Sequence, residues 1–255
     1  MNILKESVTW RNYNRSLENL KTCFNGGSEK ELIIRRINST RHSDNLRILD
    51  IGSGNGAYIQ KIISKLTVNN IEIIAIDPCI EPATYKMNGH RYVFNDEYFE
   101  QHQPDGAFDI IICTQSLYYM QNVQTAIRKM NNLLKQSGQL IITLWSKHCS
   151  IYKVCNKQFA RYCGNIMTIE DAYDIMKLEV NYSSISLEYF NGTLNWNRIA
   201  NSDRLLSDFL VVFSRSDQES YPDNAIKALK SCDMGRYPAR VNGTIFAKRP
   251  ESSTA

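Results

Sequence analysis

Leu49-Asp50-Ile51-Gly52-Ser53-Gly54-Asn55-Gly56-Ala57 decides how the rest of this chain is read. Leu46 to Ile51 is an apolar run that reads as a buried strand, and it enters a glycine-rich turn. Beyond the turn, Ile59, Ile62, Ile63 and Leu66 recur at the spacing of one helix face. Glycines let backbone approach a ligand without Cβ clashes, and the helix start offers free N–H groups. About 20 residues further on, an acid at the tip of the next strand can accept ribose hydroxyls. Ile71 to Ile76 is that strand, and Asp77-Pro78 stops it. Gly52, Gly54, Gly56 and Asp77 together predict an adenosine-type ligand across the strand tips.

The same turn satisfies G-x-G-x-x-[G/A], the dinucleotide fingerprint, which is weak evidence alone. Asp50 argues against a dehydrogenase, because a buried carboxylate repels a pyrophosphate and favours a cationic ligand. No His or Tyr-x-x-x-Lys arrangement suited to hydride transfer follows. A turn that merely joins strand to helix would not need Asp50 and Asp77 as well.

The strand–helix rhythm continues outward. Arg91 to Phe94 is a weaker strand, Phe108 to Cys113 is a continuous apolar run, and Gln139 to Trp145 is another strand. Val123, Ile127, Met130 and Leu134 form a helix face, with Gly138 expected just past the helix end. Such alternation means βαβ units and a mainly parallel sheet. The flanks differ. Residues 1–44 read as helical, with Ser28 to Glu31 as a capping box, and Thr168 to Asp171 is a similar helix start. Val180 to Phe190 alternates like a strand, Asp203–Phe213 and Asp223–Cys232 read as helices, and Thr244 to Lys248 as a last strand.

Composition bounds the function. The chain has 255 residues, 43% hydrophobic and 22% charged, which is enough for one large core and excludes disorder. The net charge of +4 is too small and dispersed to be a nucleic-acid footprint. No run is long enough for a membrane span, and the N-terminus lacks a signal-peptide pattern. The seven Cys are an odd count without C-x-x-C, so they read as reduced thiols in a cytoplasmic protein. His148, Cys149, Cys155 and Cys163 match no common zinc spacing, and no metal site is expected.

The motifs from Leu46 to Trp145 resemble those of class I S-adenosylmethionine-dependent methyltransferases. Leu49 to Gly56 looks like the first motif, Ala75 to Pro78 the second, Phe108 to Ile112 with Gln115 to Tyr119 the fourth, and Leu134 to Leu144 the post-core strand. The resemblance implies an α/β fold: a Rossmann-like, seven-stranded, mostly parallel sheet with helices on both faces, its last strand antiparallel. It implies S-adenosylmethionine as cofactor. Gly52 and Gly54 would approach its methionine part, Asp77 would bind its ribose, Pro78 and Cys79 would border its adenine, and Asp50 and Ser53 would be further cofactor contacts. Asp96 or Glu97 would reach the adenine amine, and Thr114 or Gln115 would lie near the sulfonium. The implied organisation is a helical cap over 1–44, a cofactor-binding core over 45–190, a helical lid over 191–235, and a final strand and tail over 236–255.

Gln115-Ser116-Leu117-Tyr118-Tyr119-Met120 further resembles the corresponding stretch of histamine N-methyltransferase-like small-molecule enzymes. That resemblance makes Gln115, Tyr118 and Tyr119 substrate-pocket candidates, with Gln115 and Tyr118 candidates for the reaction itself. It implies a glutamate in the N-terminal helix that holds a substrate ammonium. The resemblance puts Arg15 at that place, near Tyr13 and with Asn14 and Glu18 as neighbours, and a cation at that spot suits a carboxylate-bearing or neutral substrate. Asn242 is a further polar contact. The expected activity is methylation of a nitrogen on a small amine or amino-acid-like metabolite, with O-methylation or a protein or RNA substrate as alternatives. The donor is already activated, so the protein mainly orients and desolvates, worth up to roughly 7–11 kcal/mol. A monomer or homodimer without nucleic-acid or membrane partners is expected.

Overall fold

The computed structural model describes residues 11–26, 29–40, 45–78, 82–153, 167–214, 223–231 and 239–251. The chain divides into two compact units: Met1–Gly27, Ser146–Ile166 and Asn191–Val241 form the first, and Ser28–Trp145, Met167–Phe190 and Asn242–Ala255 the second. Ser28 of the expected capping box, Cys79, Cys155, Cys163, Cys232 and Trp10 lie outside the described residues.

In the first unit, helix α1 (Arg11–Lys21) packs against α7 (Asp203–Ser214). Buried Asp208 of α7 accepts hydrogen bonds from Ser16 Oγ (2.7 Å) and Asn19 Nδ2 (2.9 Å), so its carboxylate is satisfied within the unit. Trp196, in α6 (Trp196–Ala200), meets Phe209 edge-on, and Phe209 stacks on Phe213. Strand β1 (Phe24–Gly26) pairs with the Gly192–Leu194 end of β8 (Ser184–Leu194). Helix α8 (Asp223–Lys230) completes the described part.

The second unit is built on parallel strands β2 (Asn45–Ile51), β3 (Asn70–Ile76), β5 (His90–Asn95), β6 (Phe108–Thr114) and β7 (Leu134–Trp145). Strand β9 (Ala239–Lys248) runs antiparallel to β7, and β4 (Ala83–Met87) antiparallel to β5. The sheet order is β1-β8-β9-β7-β6-β2-β3-β5-β4. From β2 the chain moves outward one way through β3 and β5, then returns to β6 on the other side. That reversal opens a crevice at the carboxyl ends of β2 and β6, where α/β sheets bind ligands.

Strand alternation sorts the core into two faces. Leu46, Ile48, Ile73, Ile110, Ile112 and Ile141 face helices α2 (Glu29–Ser39) and α3 (Ala57–Ile63). Leu49, Ile51, Ile111, Leu140, Ile142 and Ile245 face α4 (Val123–Leu133) and α5 (Ile169–Glu179). Both faces are covered, which is why the central strands read as continuous apolar runs.

The expected seven strands become nine among the described residues. The additions are β1 and β4. All five residues of β4 are exposed, so it carries no apolar rhythm; pairing with β5 and stacking of Tyr85 on Tyr92 (5.2 Å between ring centroids) hold it. Gly138 does not end a helix. Helix α4 stops at Leu133, Ser137 takes the left-handed turn (φ 60), and Gly138 sits inside β7, where β6 shifts register between Phe108 and Ile110. Strand β8 starts at Ser184 rather than Val180, and α3 ends at Ile63. Among the described residues no helix is long and apolar enough to cross a membrane.

Thr168 caps α5 as its sequence predicts: its Oγ1 accepts from Asp171 N–H, and Asp171 accepts from Thr168 N–H (2.8 Å). Thr168→Ala should therefore cost about 1 kcal/mol, or roughly 2–4 °C in Tm for a chain of this size, by thermal unfolding.

Candidate active site

The face that carries α2 and α3 is apolar until the sheet's carboxyl edge, where it turns polar. Side chains two apart on a strand share a face, so Asp50 continues the row of Leu46 and Ile48, and Thr114 the row of Ile110 and Ile112. Thr114 pairs in register with Thr143, and Thr143 with Thr244. The Thr143 and Thr244 hydroxyls hydrogen-bond at 2.9 Å. Asn242 follows on the same face of β9, opposite Trp145.

The glycine turn caps this row. Gly52, Gly54 and Gly56 have φ of 70, 54 and 73, all left-handed. Gly52 N–H and Ser53 N–H donate to Ile76 O (2.8 and 3.3 Å), and Gly54 N–H donates to Asp77 Oδ2 (2.8 Å). The carboxylate expected to bind ribose thus also braces the turn. Gly52 admits no side chain, because a Cβ there would lie 2.2 Å from Ser116 Cβ. Gly54 has open space where its side chain would stand, with nothing within 4 Å.

Gln115 follows β6 with φ 55, a left-handed backbone in a residue with a Cβ. Such strain costs of order 1–3 kcal/mol and gathers at functional sites. Both Gln115 side-chain amide atoms are buried without a partner among the described residues, as are Ser53 Oγ and Asn242 Oδ1. An edge this rich in unpaired polar atoms is built for a ligand, since proteins otherwise satisfy buried polar groups.

Asp50 dominates the electrostatics. Its carboxyl is pushed up to about 7, first by burial and then by the neighbouring negative charge of Asp77. Among the described residues no Lys, Arg or His pairs with it. Tyr58, on α3, is pushed up by burial and by the charges of Glu29, Asp50 and Glu31, while Thr114 lies close enough to oppose the shift. Tyr58 thus lies within electrostatic reach of both the row and the first turn of α2. There Glu29 is 8% exposed, and its Oε2 has no partner among the described residues. Glu29 and Tyr58 are missed by motif reading. The burial of a charged residue in a helix's first turn is a tertiary fact, although strand alternation alone aligns Asp50, Thr114, Thr143, Thr244 and Asn242.

The other expected residues differ in exposure and partners. Pro78 and Asp96 are exposed; Glu97 is engaged with the ring of buried His102, at 2.5 Å from Nδ1. The Tyr118 and Tyr119 rings lie 4.7 Å apart at 59°, on the 3-10 turn Leu117–Tyr119. Tyr13 and Arg15 lie on α1 of the first unit, Arg15 exposed. Cys149 is buried, and no group of three or more His, Cys, Asp or Glu able to hold a metal occurs among the described residues.

Left-handed glycines, open space at Gly54, an unpaired Ser53 hydroxyl and a buried acid without a cation fit a positively charged nucleoside. Comparison with known proteins agrees. Residues 27–189 match the methyltransferase domain family. The chain belongs to this family, the class I S-adenosylmethionine-dependent methyltransferases, whose cofactor is S-adenosylmethionine.

A curated relative is the ubiquinone biosynthesis O-methyltransferase of Rickettsia felis, 33% identical over 119 residues, covering 44% of this chain and 47% of that protein. The chain thus spans about half the length of the curated relatives it matches. Among solved structures, the YcgJ protein from Bacillus subtilis superposes with a TM-score of 0.59 at 15% identity, covering 88% of this chain and 98% of that one. The N-methyltransferase NodS from Bradyrhizobium japonicum, in complex with S-adenosyl-L-homocysteine, does so with 0.52 at 15% identity, covering 96% and 100%. These likenesses show the fold.

A cationic ligand favours ionised Asp50, so binding below pH 7 must expel its proton. The Kd for S-adenosylmethionine should weaken by up to about tenfold per pH unit below 7 in calorimetry, and Asp50→Asn should bind weakly with a flat profile. The ligand-free fold holds the Asp50 proton more tightly than the unfolded chain does. Asp50 is therefore least costly to stability below pH about 4 and increasingly costly up to about 7. Asp50→Asn should accordingly raise the Tm of the ligand-free protein at pH 8.

Proposed function

We propose that this protein transfers a methyl group from S-adenosylmethionine to a nitrogen of a small acceptor that also carries an ammonium group. Glu29 carries the proposal: it is a buried carboxylate with an oxygen unpartnered among the described residues, and the Tyr58 hydroxyl feels the charges of both Glu29 and Asp50. A buried carboxylate without a partner is costly, and a ligand ammonium would relieve it. In this reading Glu29 takes the anchoring role that the resemblance gave to Arg15.

The cofactor supplies an activated methyl on a sulfonium. Asp50 and Ser53 hold its charged part, Asp77 its ribose, and Asp96 its adenine amine, because Glu97 is already engaged with His102. Gln115, with both amide atoms unpaired among the described residues, orients the acceptor nitrogen; Asn242 offers an Oδ1 likewise without a partner among them. Tyr118 and Tyr119 flank an acceptor ring. A carboxylate that holds an ammonium also keeps it protonated and unable to attack. The methylated nitrogen is therefore a second, neutral one, and a neutral heteroaromatic nitrogen needs no general base.

Methylation of a hydroxyl is the second reading, favoured by the O-methyltransferase names of the curated relatives. A hydroxyl must lose a proton, and on the polar row Asp50, held ionised by the bound cation, is the carboxylate available to take it.

Tritiated S-adenosylmethionine with histamine, tyramine, phenethylamine and a catechol discriminates the readings. Label should pass to a nitrogen of a two-nitrogen amine, and transfer to the catechol alone would reverse the assignment. Glu29→Gln should lower kcat/KM for that amine about 10- to 100-fold, the value of a buried charged hydrogen bond, and leave S-adenosylhomocysteine affinity within about twofold. Loss of cofactor affinity instead would give Glu29 to the cofactor.

A further inference from the structure

Gln115 has an unfavourable backbone, so something must hold it there, and the contacts converge on Ser116. Ser116 is 6% exposed, and its Oγ donates to Ile51 O, the last carbonyl before the glycine turn, at 2.7 Å. Its Cβ fills the space that Gly52 leaves by lacking a side chain. A hydroxyl has one hydrogen, and Ser116 spends it on Ile51. The contact with Cys113 Sγ (3.1 Å) is then a thiol donating to Ser116 Oγ. Burial pushes the Cys113 thiol up to about 12, so it stays protonated and keeps that hydrogen. On the other side, Gln115 N–H donates to Thr143 O (2.8 Å), and Tyr119 N–H to Ser116 O (2.9 Å), which starts the 3-10 turn.

We propose that Ser116 is a positioning residue: by pinning the segment after β6 to the end of β2, it locks Gln115 in its left-handed backbone and fixes where the Gln115 amide points. Its consequence for turnover rests on the reading of Gln115 as an acceptor contact. The pin joins the two strand ends that border the crevice. Without the hydroxyl, Ile51 O loses its donor and Gln115 can relax to an ordinary φ, carrying its amide away.

The test is the side-chain amide resonance of Gln115 in protein saturated with S-adenosylhomocysteine. The parent protein should show one sharp pair, which Ser116→Ala should broaden or split. Ser116→Cys, whose thiol donates weakly to Ile51 O, should change it in the same direction but less, and it decides the matter if Ser116→Ala does not fold. Unchanged Gln115 signals in the folded variants overturn the proposal. Ser116→Ala should also lower kcat/KM for the best-used amine about tenfold, with S-adenosylhomocysteine affinity changed less than about threefold. On a Gln115→Ala background it should do no further harm, and additive losses would show that Ser116 does not act through Gln115. If Gln115→Ala leaves turnover intact while the resonances respond, the functional reading fails and the positioning role stands.

Discussion

A carboxyl group at the polar edge of an otherwise apolar sheet face is the constraint around which this site is organised. Asp50 belongs to a row whose other members, Leu46 and Ile48, are buried hydrocarbon. An ion there loses its water, and no protein cation replaces it among the described residues. The fold accommodates this by letting Asp50 keep its proton until about pH 7. A positively charged ligand removes the conflict. The cost borne by the empty protein becomes selectivity for a cation, and a pyrophosphate would meet repulsion from Asp50 and Asp77 together.

The glycine turn and the segment after β6 have to be considered as one object. Gly52 is needed because Ser116 occupies its side-chain space, and Ser116 is placed there by its bond to Ile51 O. The strained Gln115 between Ser116 and the β7 carbonyl is the product of that contact. Two loops from different strands thus share a single packing solution, and a change in either one repositions the other. Preorganisation of this kind is what a reaction with an already activated donor requires, since little remains for the protein except orientation and exclusion of water.

The central strands were legible because burial on both faces leaves unbroken apolar runs, as in Phe108 to Cys113. The turn was legible because glycines there answer to geometry. What escaped has physical causes. Strand β4 is exposed along its length and exists through pairing with β5 and the stacking of Tyr85, neither of which leaves a local pattern. Gly138 looked like a helix end, but a register shift in the neighbouring strand moved it inside β7. Glu29 stands in a helix's first turn, where an acid ordinarily faces solvent and the helix dipole. In the fold it is nonetheless buried. The glycine turn and the strands that flank it were therefore readable from the chain, whereas the burial of Glu29 depends on contacts between distant segments.

The charges of the site sit to the sides of the proposed reacting atoms. Methyl transfer moves positive charge from the sulfonium to the acceptor, and a carboxylate against the sulfur would hold the charge where it starts. Only interactions that strengthen toward the transition state raise the rate. Asp50 lies at the carboxyl end of β2, Asp77 just after β3, and Glu29 in the first turn of α2. The groups nearest the end of β6, Thr114, Gln115 and Tyr118, are neutral. Such a division lets the acids serve affinity while neutral dipoles orient the nucleophile without opposing the charge transfer.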